Sequence, residues 1–142
     1  MIKVIKIKLK PHAIPPTRGF KGDWYDLFTY GDCYLDKGLY GAIPLGVAME
    51  LPKGYEAIIA PRSSTFKRYG VLAANSIGVI DEEYKGDDDY WHFPVYATQN
   101  IFIPSGTRLC QFRIIEHQPP CCFEVVEHLN NENRGGFGTT GK

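Results

Sequence analysis

An arginine and two serines follow one another in the segment APRSSTF, residues 60–66. The guanidinium of Arg62 offers a forked set of donors, and the hydroxyls of Ser63 and Ser64 add small donors beside the N–H groups of a turn. This combination is suited to binding a small anion such as a phosphate. The alternative is a polar strand end in which a serine caps the following turn.

A carboxylate at the end of an apolar strand is predicted in NSIGVIDEEYKGDD, residues 75–88. Asp81 follows the strand Gly78-Val79-Ile80 at a turn, where a carboxylate can act as a general base. Tyr84 then offers a ring that can pack against the ring or sugar of a ligand. The alternative is a hairpin turn whose acidic side chains are only solvated.

An amide side chain stands in the segment GTRLCQF, residues 106–112. Alternation along a strand predicts that Arg108, Cys110 and Phe112 share one face. Leu109 and Gln111 then share the other face. If Gln111 is buried there, its amide needs hydrogen-bond partners, which either a polar ligand or the backbone can supply.

The chain ends in NRGGFGTTGK, residues 133–142. Arg134 is always charged and can fork onto a phosphate. The glycines let backbone N–H groups approach a ligand closely, and Phe137 can lie flat on an aromatic ring. The alternative is a disordered tail, because a segment of this composition cannot bury a core.

The elements that position these residues are predicted to be strands. Residues 5–10 alternate between Ile or Leu and Lys, as a half-buried strand does. Pro/Gly turns at residues 52–54 and 104–106 separate pairs of apolar segments. The longest stretch free of Gly and Pro, residues 121–134, leaves no room for a long helix. Many short strands with such turns predict an all-β sandwich or jelly roll.

Composition limits the class of protein. The 142 residues suffice for one domain, and 16 basic residues balance 16 acidic ones, which argues against a protein that coats nucleic acid or an anionic membrane. The four cysteines lack zinc-site spacing, and the lysine-rich amino terminus is unlike a signal peptide. We therefore expect a cytoplasmic protein with reduced thiols and no membrane partner.

Taken in order, five segments resemble the five motifs of the trimeric deoxyuridine triphosphatase (dUTPase) family. They are WYDL (24–27), PRSS (61–64), NSIGVIDEEYKG (75–86), GTRLCQF (106–112) and RGGFGTTG (134–141). The resemblance implies a homotrimer of jelly-roll (β-clip) subunits, with active sites built from more than one chain. It divides the chain into a β domain, residues 1–128, and a flexible C-terminal arm, residues 129–142. The implied reaction is hydrolysis of the substrate dUTP to dUMP and pyrophosphate.

The resemblance also implies a role for each matching residue. Asp81 is implied as the base that activates the attacking water, and Tyr84 as the platform that crowds out a ribose 2′-OH. Three further groups of residues are implied to bind the rest of the substrate. The uracil would be read by Asn75, Ile77 and Gly78, and the phosphates would be bound by Arg62, Ser63, Ser64 and Gln111. The arm that closes over the nucleotide would contribute Arg134, Phe137, Gly138, Thr139 and Thr140.

The triphosphate implies a magnesium ion, which prefers oxygen ligands and retains waters, so that it can arrive on the substrate without a protein cage. Asp26 in the first motif is expected near the metal-bound waters, or paired with an arginine of the phosphate site.

The arm is shorter than is usual in the family, because only Gly135 and Gly136 separate Arg134 from Phe137. We therefore expect one of four residues that follow the third motif to supply part of the ring-stacking lid, with Phe137 sharing or ceding that role: Tyr90, Trp91, His92 or Phe93. The alternative is that these side chains pack at a subunit interface.

Two further functions remain as alternatives. A dCTP deaminase shares the fold, but needs a glutamate on the strand after the third motif, and FPVYATQN (93–100) has no acid. A catalytically idle trimer would instead bind a nucleotide or a regulatory protein partner. Asp81, Tyr84, Gln111 and Arg134 favour catalysis.

Overall fold

The computed structural model describes residues 2–19 and 21–138. Within these ranges the chain forms strands and one short helix. In chain order the elements are β1 (Lys6–Leu9), β2 (Thr17–Arg18), β3 (Tyr25–Phe28), β4 (Cys33–Leu35), β5 (Tyr40–Pro44), β6 (Val47–Glu50), β7 (Tyr55–Pro61), α1 (Thr65–Tyr69), β8 (Val71–Ala73), β9 (Gly78–Ile80), β10 (His92–Ala97), β11 (Ile101–Ile103) and β12 (Arg108–Glu116).

The strands form one large sheet and three small ones. The large sheet has the order β2-β3-β12-β7-β9, and all its pairs are antiparallel. The smaller sheets are β5-β10-β8, β1-β6 and β11-β4. The prediction of an all-β, jelly-roll subunit is thereby confirmed. Within the described ranges, no helix is long and apolar enough to cross a membrane.

The two predicted Pro/Gly turns connect different sheets. Gly54 and Gly106 both have positive φ, +86° and +81°, which glycine adopts without steric cost. The strands on either side of these turns do not pair with each other: β6 pairs with β1, and β7 with β12 and β9. Likewise, β11 pairs with β4, whereas β12 pairs with β3 and with β7. Each turn therefore carries the chain from one sheet to another.

The core combines buried side chains of the large sheet with buried side chains of β5, β6, β8, β10 and β11. Leu27, Ile59 and Phe112 come from the large sheet, and Phe93 faces them from β10. The ring of Trp91, in the loop before β10, packs edge-on against the ring of Phe112, with 5.2 Å between the ring centroids and 83° between the ring planes. Edge-to-face aromatic pairs of this kind add to the stability that buried apolar area provides.

Two expectations about strands were wrong. β1 is exposed rather than half-buried, with Ile7 43% and Leu9 37% accessible, because it pairs only with β6 and no second layer covers it. On β12 a register shift between Arg108 and Cys110 breaks the alternation. The shift adds a residue on one side of the ladder, so Leu109 and Cys110 are both buried while Arg108 is exposed.

Candidate active site

Two arginines hold a nearly buried aspartate where β3, β12 and β7 lie side by side. The carboxylate oxygens of Asp26, which is 8% exposed, lie 3.5 Å from Nε of Arg62 and 3.5 Å from Nε of Arg108. Nη1 of Arg62 also donates a hydrogen bond to the carbonyl of Arg108 at 3.0 Å. Two guanidiniums against one carboxylate leave a positive charge at this end of the sheet, which favours a bound anion.

Gln111 lies in the same row of the sheet, opposite Asp26 on β3 and Ala60 on β7. Its Nε2 donates a hydrogen bond to the carbonyl of Pro61 at 3.1 Å. The amide nitrogen carries two hydrogens, so one donor remains for a ligand after this bond. The backbone therefore supplies one partner, and a phosphate can be the second.

Thr65 organises the segment that carries the predicted phosphate-binding serines, and sequence reasoning missed it. This buried hydroxyl accepts a hydrogen bond from the N–H of Arg62 at 2.8 Å and donates one to the carbonyl of Leu109 at 2.7 Å. Ser64 is the N-cap residue of α1, and within the described structure its side chain makes no capping hydrogen bond. Ser63 is exposed. The signal for Thr65 was its place directly after PRSS.

Asp81 follows β9 as expected and begins a tight turn. Its carbonyl accepts a hydrogen bond from the N–H of Tyr84 at 3.0 Å, and its Oδ2 accepts one from the N–H of Glu83 at 2.8 Å. The turn thus orients the exposed carboxylate through one oxygen. The other oxygen is the one that can hold a water molecule. At Gly78, a Cβ would lie 3.3 Å from Cβ of Ile59, so glycine lets β9 approach β7 closely.

The turn predicted to read a base is not the tip of a paired hairpin. β8 pairs with β10, whereas β9 pairs with β7, so residues 74–77 connect two sheets. The turn is tight: Ser76 has φ +62°, and the N–H of Ile77 donates to the carbonyl of Asn75 at 2.6 Å. Asn75 and Ile77 are exposed, so this turn lies at the surface.

A depression of about 270 Å³ joins Asp81 to Tyr84 and His92, and Val79 and Ile80 also line it. Tyr84 is 39% exposed. This depression places the predicted base and the predicted sugar platform side by side on one chain.

Of the four residues predicted for a ring-stacking lid, Trp91 and Phe93 do not belong to one. Both are buried in the core, with 0% and 1% of their surface exposed. A period-two pattern from Trp91 to Ala97 was the signal that they face inward. Tyr90 is half-buried and His92 is exposed.

The C-terminal arm leaves the β domain after β12. The last strand ends at Glu116, and the N–H of His117 still donates to the carbonyl of Gly54 at 2.8 Å. Arg134 is exposed, with Nη1 3.3 Å from the carbonyl of Gly135. Phe137 is fully exposed, with φ +51°. Thr139 and Thr140 lie outside the described residues, and the domain boundary at 128 stays a prediction.

The two groups of predicted site residues lie at opposite ends of β7. The pairing of Ala57 with Ile80 places Asp81 at the level of Glu56. Arg62 follows six residues further along the chain, which corresponds to about 20 Å at about 3.3 Å per residue. The side chain of Arg62 also points across β12 towards Asp26, away from Asp81. One phosphate therefore cannot contact both residues of the same chain.

The described residues of the single chain offer no cluster of metal-ligating side chains. They contain no group of three or more His, Cys, Asp or Glu side chains that could hold a metal ion. Asp26 was expected either near metal-bound waters or paired with an arginine of the phosphate site, and it is paired with Arg62.

Comparisons with known proteins agree with the five motifs. A family model described as dUTPase matches residues 12–141. A prophage-derived deoxyuridine 5′-triphosphate nucleotidohydrolase of Bacillus subtilis strain 168 is 52% identical over 121 residues, 85% of each chain.

Solved structures agree in fold. A mutant dUTPase of Staphylococcus bacteriophage 80alpha, solved with dUpNHpp, has a TM-score of 0.82 and 22% identity, and covers 99% of this chain and 100% of that one. A mutant dUTPase from phage phi11 of S. aureus, described with a structural Mg(II) ion, has a TM-score of 0.76 and 19% identity. That match covers 89% of this chain and 99% of the other. β10, which is fully described, also lacks the acid that a deaminase needs. The resemblance inferred from the motifs is confirmed, and the protein belongs to the dUTPase family.

Proposed function

We propose that the protein hydrolyses dUTP to dUMP and pyrophosphate as a homotrimer whose active sites are shared between subunits. The observation that carries this proposal is the position of Asp81 and Arg62 at opposite ends of β7. In such a site Asp81 and Tyr84 come from one subunit, while Arg62 and Gln111 come from its neighbour. A cyclic assembly repeats the same contact at every interface.

Asp81 holds and deprotonates the water that attacks the triphosphate. Its carboxylate is exposed, and its turn leaves one oxygen free of the bond to Glu83. Holding the water in line with one phosphorus supplies much of the catalysis in phosphoryl transfer. Tyr84, on the same depression, packs under the deoxyribose.

The phosphates bind at the other end of the large sheet. Asp26 orients the guanidiniums of Arg62 and Arg108 through contacts of 3.5 Å each, and Gln111 adds an amide donor beside them. Ser63 and Ser64 add hydroxyls at the start of α1. Mg²⁺ chelated by the triphosphate would offset the charge that builds up on the leaving pyrophosphate.

A second copy has a surface on which to dock. The outer face of β5-β10-β8 carries Tyr40, Tyr96 and Leu72 in one cross-strand row, and all three are exposed in the single chain. Ala42 and Pro94 form the next row. An uncharged aromatic face of this kind is typical of a buried interface. His92, at the end of this face, lines the depression that holds Asp81, so the interface and the active site adjoin.

The C-terminal arm closes over the bound nucleotide. Arg134 contacts a phosphate, Phe137 covers the base, and Gly138, Thr139 and Thr140 complete the closure. His92, which is exposed on the depression, is the remaining lid candidate together with Tyr90. The uracil is read by backbone groups around Asn75, Ile77 and Gly78.

The four free cysteines agree with a reducing, cytoplasmic location.

One assay tests the reaction. Purified protein with Mg²⁺ is given dUTP or dCTP, and release of pyrophosphate and of ammonia is measured. We expect pyrophosphate from dUTP, its loss on addition of EDTA, and its loss in Asp81→Asn, which removes the negative charge at constant size. Glu83→Gln, an exposed acid in the same turn, is the matched control and should retain activity. Ammonia from dCTP, or no turnover of dUTP, would contradict the proposal.

A further inference from the structure

Two side chains of the depression donate to one backbone carbonyl. The hydroxyl of Tyr84 donates to the carbonyl of Tyr90 at 3.1 Å, and Nδ1 of His92 lies 2.9 Å from the same oxygen. A carbonyl oxygen has two lone pairs, so both bonds can form at once. For His92 to donate, its proton must be on Nδ1. Tyr84 and His92 are therefore linked through a single acceptor.

This acceptor is anchored to the core. The next residue, Trp91, is completely buried, and its N–H donates to the carbonyl of Val47 at 2.8 Å. The carbonyl of Trp91 in turn accepts from the N–H of Leu45 at 3.1 Å. On the other side, the ring of Tyr90 lies 4.7 Å from the ammonium of Lys10. The Tyr90 carbonyl thus has a fixed position relative to the β domain.

Tyr84 itself has much less support. It lies in the exposed turn that begins at Asp81, and 39% of its surface is accessible. The backbone bond from its N–H to Asp81 sets where the side chain begins but leaves the ring free to rotate. The bond from its hydroxyl to Tyr90 is what sets the direction of the ring.

We propose that His92 is a positioning residue for Tyr84: by donating to one lone pair of the fixed Tyr90 carbonyl, it leaves the Tyr84 hydroxyl a single direction of approach, and so sharpens discrimination between deoxyribose and ribose. This inference rests on the proposed function, in which Tyr84 packs under the sugar. A ring held in one orientation excludes a 2′-OH by contact, whereas a ring that rotates makes room for it. In this role His92 acts through the orientation of Tyr84, separately from the lid role proposed above for His92 and Tyr90.

The test compares two variants at position 92. His92→Leu removes the donor, and His92→Asn retains an amide N–H near the position of Nδ1. Because His92 is exposed on β10, both should fold, which a urea titration verifies. We expect His92→Leu to lower the ratio of kcat/KM for dUTP to that for UTP by roughly threefold to tenfold, the equivalent of one net hydrogen bond. His92→Asn should restore most of the ratio.

Tyr84→Phe supplies the second half of the test, because it keeps the ring and removes only the hydroxyl. Since both donors act through one carbonyl, the double variant Tyr84→Phe/His92→Leu should lose little more discrimination than Tyr84→Phe alone. Additive losses, or an unchanged ratio in His92→Leu, would overturn the positioning role while leaving dUTP hydrolysis intact. Wild-type protein that releases no pyrophosphate from dUTP would overturn the proposed function and this inference together.

Discussion

Mixing two inactive variants tests whether the two ends of β7 serve different active sites. Asp81→Asn removes the carboxylate proposed to hold the water, and Arg62→Gln removes a guanidinium proposed to hold a phosphate. Within one chain these side chains start about 20 Å apart along the strand. Each variant alone should therefore be inactive, but each keeps the half of the site that the other lacks.

The expected activity of the mixture follows from counting. In a cyclic trimer, each site takes residue 81 from one subunit and residue 62 from the next. Random assembly from equal amounts gives both intact residues at about one site in four, so the mixture should regain about a quarter of wild-type activity. A site contained within one chain would regain none.

The assay measures pyrophosphate release after the two variants are unfolded and refolded together. Different affinity tags on the two chains show that mixed assemblies form, and light scattering checks for three subunits. A matched control mixes wild type with the double variant Asp81→Asn/Arg62→Gln. A shared site predicts about a quarter of wild-type activity there too, whereas a single-chain site predicts about a half. Mixed assemblies without restored activity would refute the shared site.

Three further predictions follow from single side chains. Thr65→Val should lower the free energy of unfolding by about 1–3 kcal/mol in a urea titration, because the N–H of Arg62 and the carbonyl of Leu109 lose their partner. Thr65→Ser keeps the hydroxyl and should stay near wild type. Equal losses of unfolding free energy in the two variants would count against a role of the hydroxyl. Burial raises the pKa of the Cys110 thiol, so above pH 9.0 the unfolded chain loses a proton that the folded chain keeps, and stability should fall. Cys110→Ala should reduce the fall of the unfolding free energy with rising pH. If this pH dependence is unchanged in the variant, other groups cause the fall. Phe137→Ala should raise KM for dUTP about tenfold at unchanged stability, because the proposed closure of the arm would bury a ring that is exposed here; an unaltered KM would exclude it as the lid.

Local features of the candidate site could be predicted from the sequence. Asp81 begins a turn after a short apolar strand, and the two hydrogen bonds that Asp81 accepts in that turn come from within three residues along the chain. The Pro/Gly turns at residues 52–54 and 104–106 are likewise local, because glycine supplies the positive φ at Gly54 and Gly106. Interactions over so few residues depend little on the rest of the fold.

Features that depend on the partner strand were missed. The register shift at Arg108 and Cys110 arises from pairing with β3, which is distant in the sequence. The hydroxyl of Thr65 is buried because β12 brings the carbonyl of Leu109 to it. Trp91 and Phe93 were predicted as exposed lid residues because they follow the third motif, but the pleat of β10 directs them into the core.

The most consequential result concerns distance. The motifs identified Asp81 and Arg62 as residues of one reaction, and they are near each other in the chain. The sheet separates them, because an antiparallel partner brings Asp81 beside the start of β7 whereas Arg62 follows its end. A motif records which residues a reaction needs, but only the pairing of strands sets whether one chain can bring them together.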